Sequence, residues 1–160
     1  MNELAEIRIP GRAEERQVRR LKDLIAEMVR CCEDRRLYEH GRFGLPYAEV
    51  RCLLLFSGER YLTVKTLSEK LDVAKSRVTK ILDRLEEKAL VRRLLDPADA
   101  RVVLIGLTAA GMEKVKEIDA FHQDIHGRIL ARMNEGERHD LLFQLEKLRS
   151  AMESVKATLR

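Results

Sequence analysis

Tryptophan is absent from this chain, aromatic residues make up only 4% of it, and three prolines and eight glycines punctuate its 160 residues. So thin an aromatic supply argues against a β-sandwich, and a 45% hydrophobic content rich in Leu, Ile and Val fits packed helices. No apolar run approaches the roughly 20 residues that span a bilayer. Residues 1–20 lack the apolar core of a secretory signal, so the expectation is a soluble, cytoplasmic protein with no membrane partner. The three cysteines, Cys31, Cys32 and Cys52, are odd in number and fall in predicted helices, which suits a reducing compartment better than a disulfide framework. No nucleophile, base and orienting group recur in a recognisable pattern, so neither an enzyme nor a cofactor is expected.

What the chain has in quantity is charge, 36% of its residues, with a net value of +4. Residues 1–59 carry 11 basic and 11 acidic side chains, and residues 102–160 carry nine of each. Residues 60–101 carry 11 basic against seven acidic, so the whole excess falls in the central quarter. That is the footprint of a segment that meets a polyanion, although solvated charges clustered by chance look the same in a sequence.

Apolar spacing divides the chain. Val18, Leu21, Ile25, Met28 and Cys32 recur at three and four, which predicts a helix from Arg12 to about Tyr38 with a narrow apolar seam, interrupted by Gly41 and Gly44. Pro46 suits the first turn of a short second helix carrying Val50, Leu53 and Leu54, which Gly58 would stop. Thr63 is a natural cap for a third helix with Leu67 and Leu71 inward. A fourth, from Ala74 to Ala89, sets Val78, Ile81, Leu82 and Leu85 on one stripe and Arg77, Lys80 and Arg84 opposite. Two β-rich runs, Val91 to Leu95 and Val102 to Leu107, flank a turn from Asp96 to Arg101 and predict a hairpin. Thr108 caps a fifth helix, with Val115, Ile118, Phe121, Ile125 and Ile129 apolar, ending near Met133. Asn134 and Glu137 form a capping-box start for a sixth, whose Leu141, Leu145, Leu148, Met152, Val155 and Leu159 make a heptad seam.

Seamed helices at both ends of the chain need partners, which predicts a homodimer joined through them; an intrachain helical pair would bury the same seams. The division expected is a dimerisation helix over 12–38, a nucleic-acid-binding lobe over 46–107 and dimerisation helices over 108–159. The fold class is mainly α with a small β-hairpin wing, a six-helix winged helix-turn-helix.

Two short helices, a tight turn, a basic second helix and a hairpin predict an element that enters the major groove of double-stranded DNA. Arg donates twice to guanine, and Ser or Thr bonds a base edge or a phosphate, so Ser76, Arg77 and Lys80 are the base-reading candidates. Lys75, Thr79 and Arg84, with Thr63 and Lys65 at the start of the third helix, are candidates for the phosphate backbone. Arg101, held by Asp99 at the hairpin tip, has the reach for the minor groove; an ordinary surface ion pair is the plainer account of those two.

These motifs carry a resemblance. Leu67-Ser68-Glu69-Lys70-Leu71-Asp72-Val73, Val78-Thr79-Lys80-Ile81-Leu82-Asp83-Arg84-Leu85-Glu86, Asp96-Pro97-Ala98-Asp99-Ala100-Arg101 and Leu107-Thr108-Ala109-Ala110-Gly111 are similar, in order and spacing, to the MarR family of bacterial transcriptional regulators. The resemblance implies a two-fold dimer on a pseudo-palindromic site, a recognition helix from Ala74 to Ala89, wing residues Asp99 and Arg101, and repression relieved by a small-molecule effector such as a phenolic ligand, an oxidant or a metal. It also implies an effector pocket near the first, second and fifth helices. Two positions depart from the family pattern. Ala74 replaces the usual Ser or Thr cap, and Ala89 replaces the usual Gly before the wing, so the left-handed turn there is expected to be altered.

The switch is less legible. Cys31, Cys32 and Cys52 would serve an oxidant sensor only if exposed and acidic, and a free Cys is usually a small core residue. His122 and His126 share a helix face at a spacing that lets two imidazoles reach one metal, with His40, Glu39 or a cysteine as further ligands, but a packing or surface role is the simpler assignment. No metal or redox site is therefore assigned. The readings set against a DNA-binding repressor are a winged-helix protein-interaction module with only non-specific DNA affinity, and a metal or thiol sensor with DNA binding as its output.

Overall fold

The computed structural model describes residues 12–159, so the expectation drawn from the chain's first 11 residues lies outside what is described. The described residues divide after Cys52 into two compact units.

The first unit holds α1 (Arg12–Phe43) and most of α2 (Tyr47–Leu54). α1 continues five residues past Tyr38, straight through Gly41. One interior glycine costs about 1 kcal/mol against alanine, which a helix of 32 residues absorbs. Gly44 is what ends it: its φ of +65° is left-handed, and its N–H donates to the His40 carbonyl at 3.0 Å. Pro46 stands just ahead of α2 instead of inside its first turn, its carbonyl accepting from the Val50 N–H at 3.1 Å. Phe43, Leu45, Val50 and Cys52 are buried together with the carboxylates of Glu39 and Glu49, and Arg35 Nε reaches Glu39 Oε1 at 3.1 Å. Along the rest of α1 the seam residues Val18, Leu21 and Met28 are exposed.

The second unit runs β1 (Leu62–Thr63), α3 (Val64–Leu71), α4 (Lys75–Glu87), β2 (Val91–Leu95), β3 (Val103–Leu107), α5 (Ala109–Leu130) and α6 (Glu135–Thr158). The expected hairpin is present, with Val91 opposite Leu107 and Leu95 opposite Val103. It belongs to a three-stranded antiparallel sheet of order β1-β3-β2, because Leu62 and Thr63 pair with Ile105 and Leu104. A two-residue strand is too short for alternation to register, so the sequence pattern shows only the hairpin. Val102 is in the turn, where its N–H donates to the Asp99 carbonyl at 2.9 Å. Leu67, Val78, Leu82, Leu85, Ile105 and Ile118 lie at the centre of this unit, each fully buried.

One hydroxyl ties the wing to α5. Thr108 Oγ1 accepts from the Gly111 N–H at 3.0 Å, capping the helix, and donates to the Ala89 carbonyl at 2.6 Å. The Thr108 N–H donates to the Leu90 carbonyl at 3.1 Å. Gly111 packs so closely here that a Cβ would lie 1.9 Å from the Leu90 oxygen. α5 gives way three residues before Met133, its end tightened by N–H groups of Arg132 and Met133 donating to the carbonyls of Ile129 and Leu130. Both bonds of the capping box between Asn134 and Glu137 start α6. α6 buries no side chain, and Leu145, Met152, Val155 and Leu159 of its heptad seam are exposed. Among the described residues, no helix is long and apolar enough to cross a membrane.

Candidate nucleic-acid interface

α3 and α4 are set by their ends. Thr63 Oγ1 caps α3 by accepting from the Thr66 N–H at 3.1 Å. At the other end Asp72 takes a left-handed φ of 54°, the Val73 N–H donates to the Ser68 carbonyl, and Ser68 Oγ donates to the Val73 carbonyl at 2.6 Å. Three residues therefore reverse the chain into α4, whose N-cap Ala74 makes no side-chain bond to the first turn.

The far end of α4 corrects one expectation. Ala89 does not alter the left-handed turn; it adopts it, at φ 56°. The Ala89 N–H donates to the Glu86 carbonyl and the Leu90 N–H to that of Leu85, a complete helix-ending motif with alanine where glycine carries no steric penalty. Buried Leu90 and the Thr108 hydroxyl on the Ala89 carbonyl hold the strained residue in place.

Between these ends, Val78, Ile81, Leu82 and Leu85 are buried, while Lys75, Ser76, Arg77, Thr79, Lys80 and Arg84 are all exposed. The Thr79 hydroxyl donates back to the Lys75 carbonyl at 3.0 Å. Lys75, Arg77, Lys80 and Arg84 form no ion pair with any described residue, so their cationic groups face solvent. Lys65 on α3 is exposed as well, whereas Thr63 is half-buried with its hydroxyl used in the cap.

α4 also carries acids, and Arg93 of β2 engages two of them. Its Nη2 lies 2.6 Å from Asp83 Oδ1, and its Nη1 bonds Glu86 Oε2. The guanidinium is held more firmly protonated, first by the Asp83 hydrogen bond. One guanidinium thereby offsets one of the two negative charges beside the cationic face, and the wing strand is joined to α4. Sequence reasoning missed Arg93. Its signal is Asp83 and Glu86 three apart on α4, with Arg93 two residues after the inward-facing Val91.

At the wing tip the expected pairing is present. Asp99 Oδ1 accepts from the Arg101 N–H at 3.0 Å and from its Nε at 3.1 Å, with Nη2 3.4 Å from Oδ2. The Arg101 side chain remains 91% exposed, its outer edge open to a partner. These bonds, the guanidinium's first, hold the Asp99 carboxyl below its usual range.

Other candidates are not gathered into a site. Cys52 is fully buried, and burial followed by the nearby Glu49 charge pushes its thiol up to about 12, the opposite of what an oxidant sensor needs. Cys31 and Cys32 are exposed on α1. The rings of His122 and His126 are 6.1 Å apart, and the described residues bring no cluster of three metal-binding side chains together.

The MarR family model matches residues 43–102, which contain α2 through the wing tip. The transcriptional repressor MdtR of Bacillus subtilis is 32% identical over 111 residues, covering 69% of this chain and 72% of that protein. The chain belongs to the MarR family. A MarR family protein from Bacillus stearothermophilus superimposes with a TM-score of 0.76 at 27% identity, over 87% of this chain and 97% of the other. FabT of Streptococcus pneumoniae, solved in complex with DNA, shares the fold with a TM-score of 0.76 at 20% identity, over 84% of this chain and 99% of that one. The protein is thus a MarR-family transcriptional regulator with a winged helix-turn-helix.

Proposed function

We propose that this MarR-family regulator is a homodimeric repressor that reads a pseudo-palindromic double-stranded DNA site and leaves it when a small effector binds. The observation that carries the reading is α4: one face is buried, and the other presents Ser76, Arg77 and Lys80 to solvent. Arg77 and Lys80 donate to guanine acceptors in the major groove, with Ser76 against a neighbouring base edge. Lys75, Arg84 and Lys65 take phosphates, joined by Thr63 through its hydroxyl hydrogen and by Thr79 once its hydroxyl turns from the Lys75 carbonyl to the phosphate. Arg101, pre-oriented by Asp99, enters the minor groove. Residues 46–107 are the reading lobe. No catalytic activity is part of this function.

Residues 12–38 and 108–159 carry the dimer contacts. Support comes from the apolar side chains left exposed on α1 and along the whole of α6, more than a lone helical surface ordinarily leaves to water. Repression is supported by MdtR, named a repressor, and DNA binding by FabT, solved on DNA. A cavity of about 460 Å³ in the first unit, lined by Glu33, Arg36, Leu37, His40, Pro46 and Tyr47, with Arg36 stacked 4.0 Å from the Tyr47 ring centre, suits the effector.

Hydroxyl-radical footprinting on DNA selected from a random library tests this function. A dimer should protect two blocks about one helical turn apart, roughly 34–36 Å. One protected block per bound protein, or a monomer on DNA by sedimentation, would contradict it.

A further inference from the structure

The face that β2 and β3 turn towards the core continues past the point where the core ends. In the antiparallel register Val91 pairs with Leu107, Arg93 with Ile105 and Leu95 with Val103, so alternation sets these six side chains on one face. Val91 and Ile105 are buried, and Arg93 bonds Asp83 and Glu86 of α4. The outermost pair lies in the open: Leu95 is 65% exposed and Val103 39%.

Place along the hairpin decides what meets this pair. Leu95 and Val103 stand one rung, about 7 Å, beyond the Arg93 rung that touches α4. The turn from Asp96 to Arg101 follows directly, with Arg101 Nε 3.1 Å from Asp99. With α4 in the major groove and Arg101 in the neighbouring minor groove, the hairpin between them crosses one sugar-phosphate strand. Cations would be the usual side chains there. Residues 94–100 and 102–107 nevertheless contain no Lys or Arg, and two of them, Asp96 and Asp99, are acids. Asp96 Oδ1 accepts from the Ala98 N–H at 2.8 Å, so that carboxylate is held within the turn, and Arg93 is engaged by α4. The crossing therefore offers hydrocarbon. The matching part of a DNA strand is the C–H edge of its deoxyribose rings. Two side chains are too small a patch for a second copy or another protein, whose stable interfaces bury upwards of about 1,000 Å².

We propose that Leu95 and Val103 pack against the deoxyribose edge of the strand between these two grooves. The inference rests on the DNA-binding function proposed above and adds to it a contact that carries no charge and reads no base. Phosphate contacts made by cations release counterions and weaken as salt rises. An apolar contact releases none, so its share of the affinity persists in high salt.

The test is fluorescence anisotropy of the full chain on the selected DNA and on a scrambled duplex, each across a salt series, with hydroxyl-radical cleavage of the selected DNA at saturating protein. Leu95→Ser should weaken binding about three- to tenfold on both duplexes, and Val103→Thr, which keeps shape and strand preference, about threefold. Neither should alter the salt slope, whereas Arg101→Ala should lower it by about one. Leu95→Met, which keeps the apolar surface, should bind as wild-type protein does. The sugars between the two grooves should be shielded by wild-type protein and opened by Leu95→Ser. Wild-type affinity in both Leu95→Ser and Val103→Thr, a salt slope that falls with either, or a cleavage pattern that Leu95→Ser leaves unchanged would overturn the proposal while the DNA-binding function stood. Wild-type protein that bound neither duplex would remove that function and this contact together.

Discussion

Arg93 of β2 reaches Asp83 of α4 at 2.6 Å and bonds Glu86 with its other terminal nitrogen, so one side chain both joins the wing to α4 and offsets one of the two negative charges beside its cationic face. All three side chains are partly exposed, so the contribution to stability is small, under about 1 kcal/mol. The contribution to DNA binding should be larger. Arg93→Gln should leave the thermal midpoint nearly unchanged and weaken DNA binding by roughly tenfold, about 1.4 kcal/mol. Adding Asp83→Asn and Glu86→Gln should restore part of that loss by removing the exposed negative charge. Fluorescence anisotropy on the selected DNA duplex measures both effects.

The two alanines that bracket α4 make opposite stereochemical demands. Ala74 leaves the first turn without a side-chain cap, so Ala74→Ser should stabilise the fold by about 1 kcal/mol. Ala89 holds a left-handed backbone that costs an L-residue about 1–2 kcal/mol, partly offset because alanine restricts the unfolded chain. Ala89→Gly should therefore stabilise by about 0.5–1 kcal/mol. Thermal unfolding of the single and double variants measures this, and the gains should add, since the sites share no partner.

Gly111 is required for a different reason. Its conformation is ordinary and helical, but a methyl group would fall on the Leu90 carbonyl, which is backbone and cannot rotate away. Gly111→Ala should destabilise by about 1–3 kcal/mol or more and disturb the Thr108 bridge to Ala89. Amide exchange at Gly111, whose N–H donates to Thr108, should quicken relative to the α5 interior.

Cys52 sets a dependence on high pH. Its thiol is ordinarily near 9.0 and is raised by burial to about 12 in the folded chain. A raised acid favours the folded state while neutral, so its contribution is full below about pH 9 and is lost as pH climbs towards 12. In a Cys31→Ser, Cys32→Ser variant, the remaining thiol should resist a thiol reagent at pH 8 until the protein is unfolded.

The reading helix, its caps and the hairpin are legible in the sequence because they rest on local rules: the apolar stripe of α4, Thr63 and Thr108 as caps, and the turn from Asp96 to Arg101. Contacts between elements are not. Arg93 looks like any solvated cation until β2 lies against α4, β1 is too short to carry a period, and Gly111 looks like a dispensable helix glycine until Leu90 is placed beside it. Gly41 misleads in the opposite direction, since a glycine punctuates a helix only where its backbone turns left-handed, as it does at Gly44.

The central claim is that the exposed face of α4 reads base sequence. Its most direct test compares wild-type protein and Arg77→Ala by anisotropy on the DNA site selected from a random library and on a scrambled duplex of the same composition. Wild-type protein should prefer its site by about a thousandfold or more. Arg77→Ala should lose about 1–3 kcal/mol on the site while changing little on the scrambled duplex. Selection that enriches no sequence, or an Arg77→Ala variant that keeps the full preference, would contradict it.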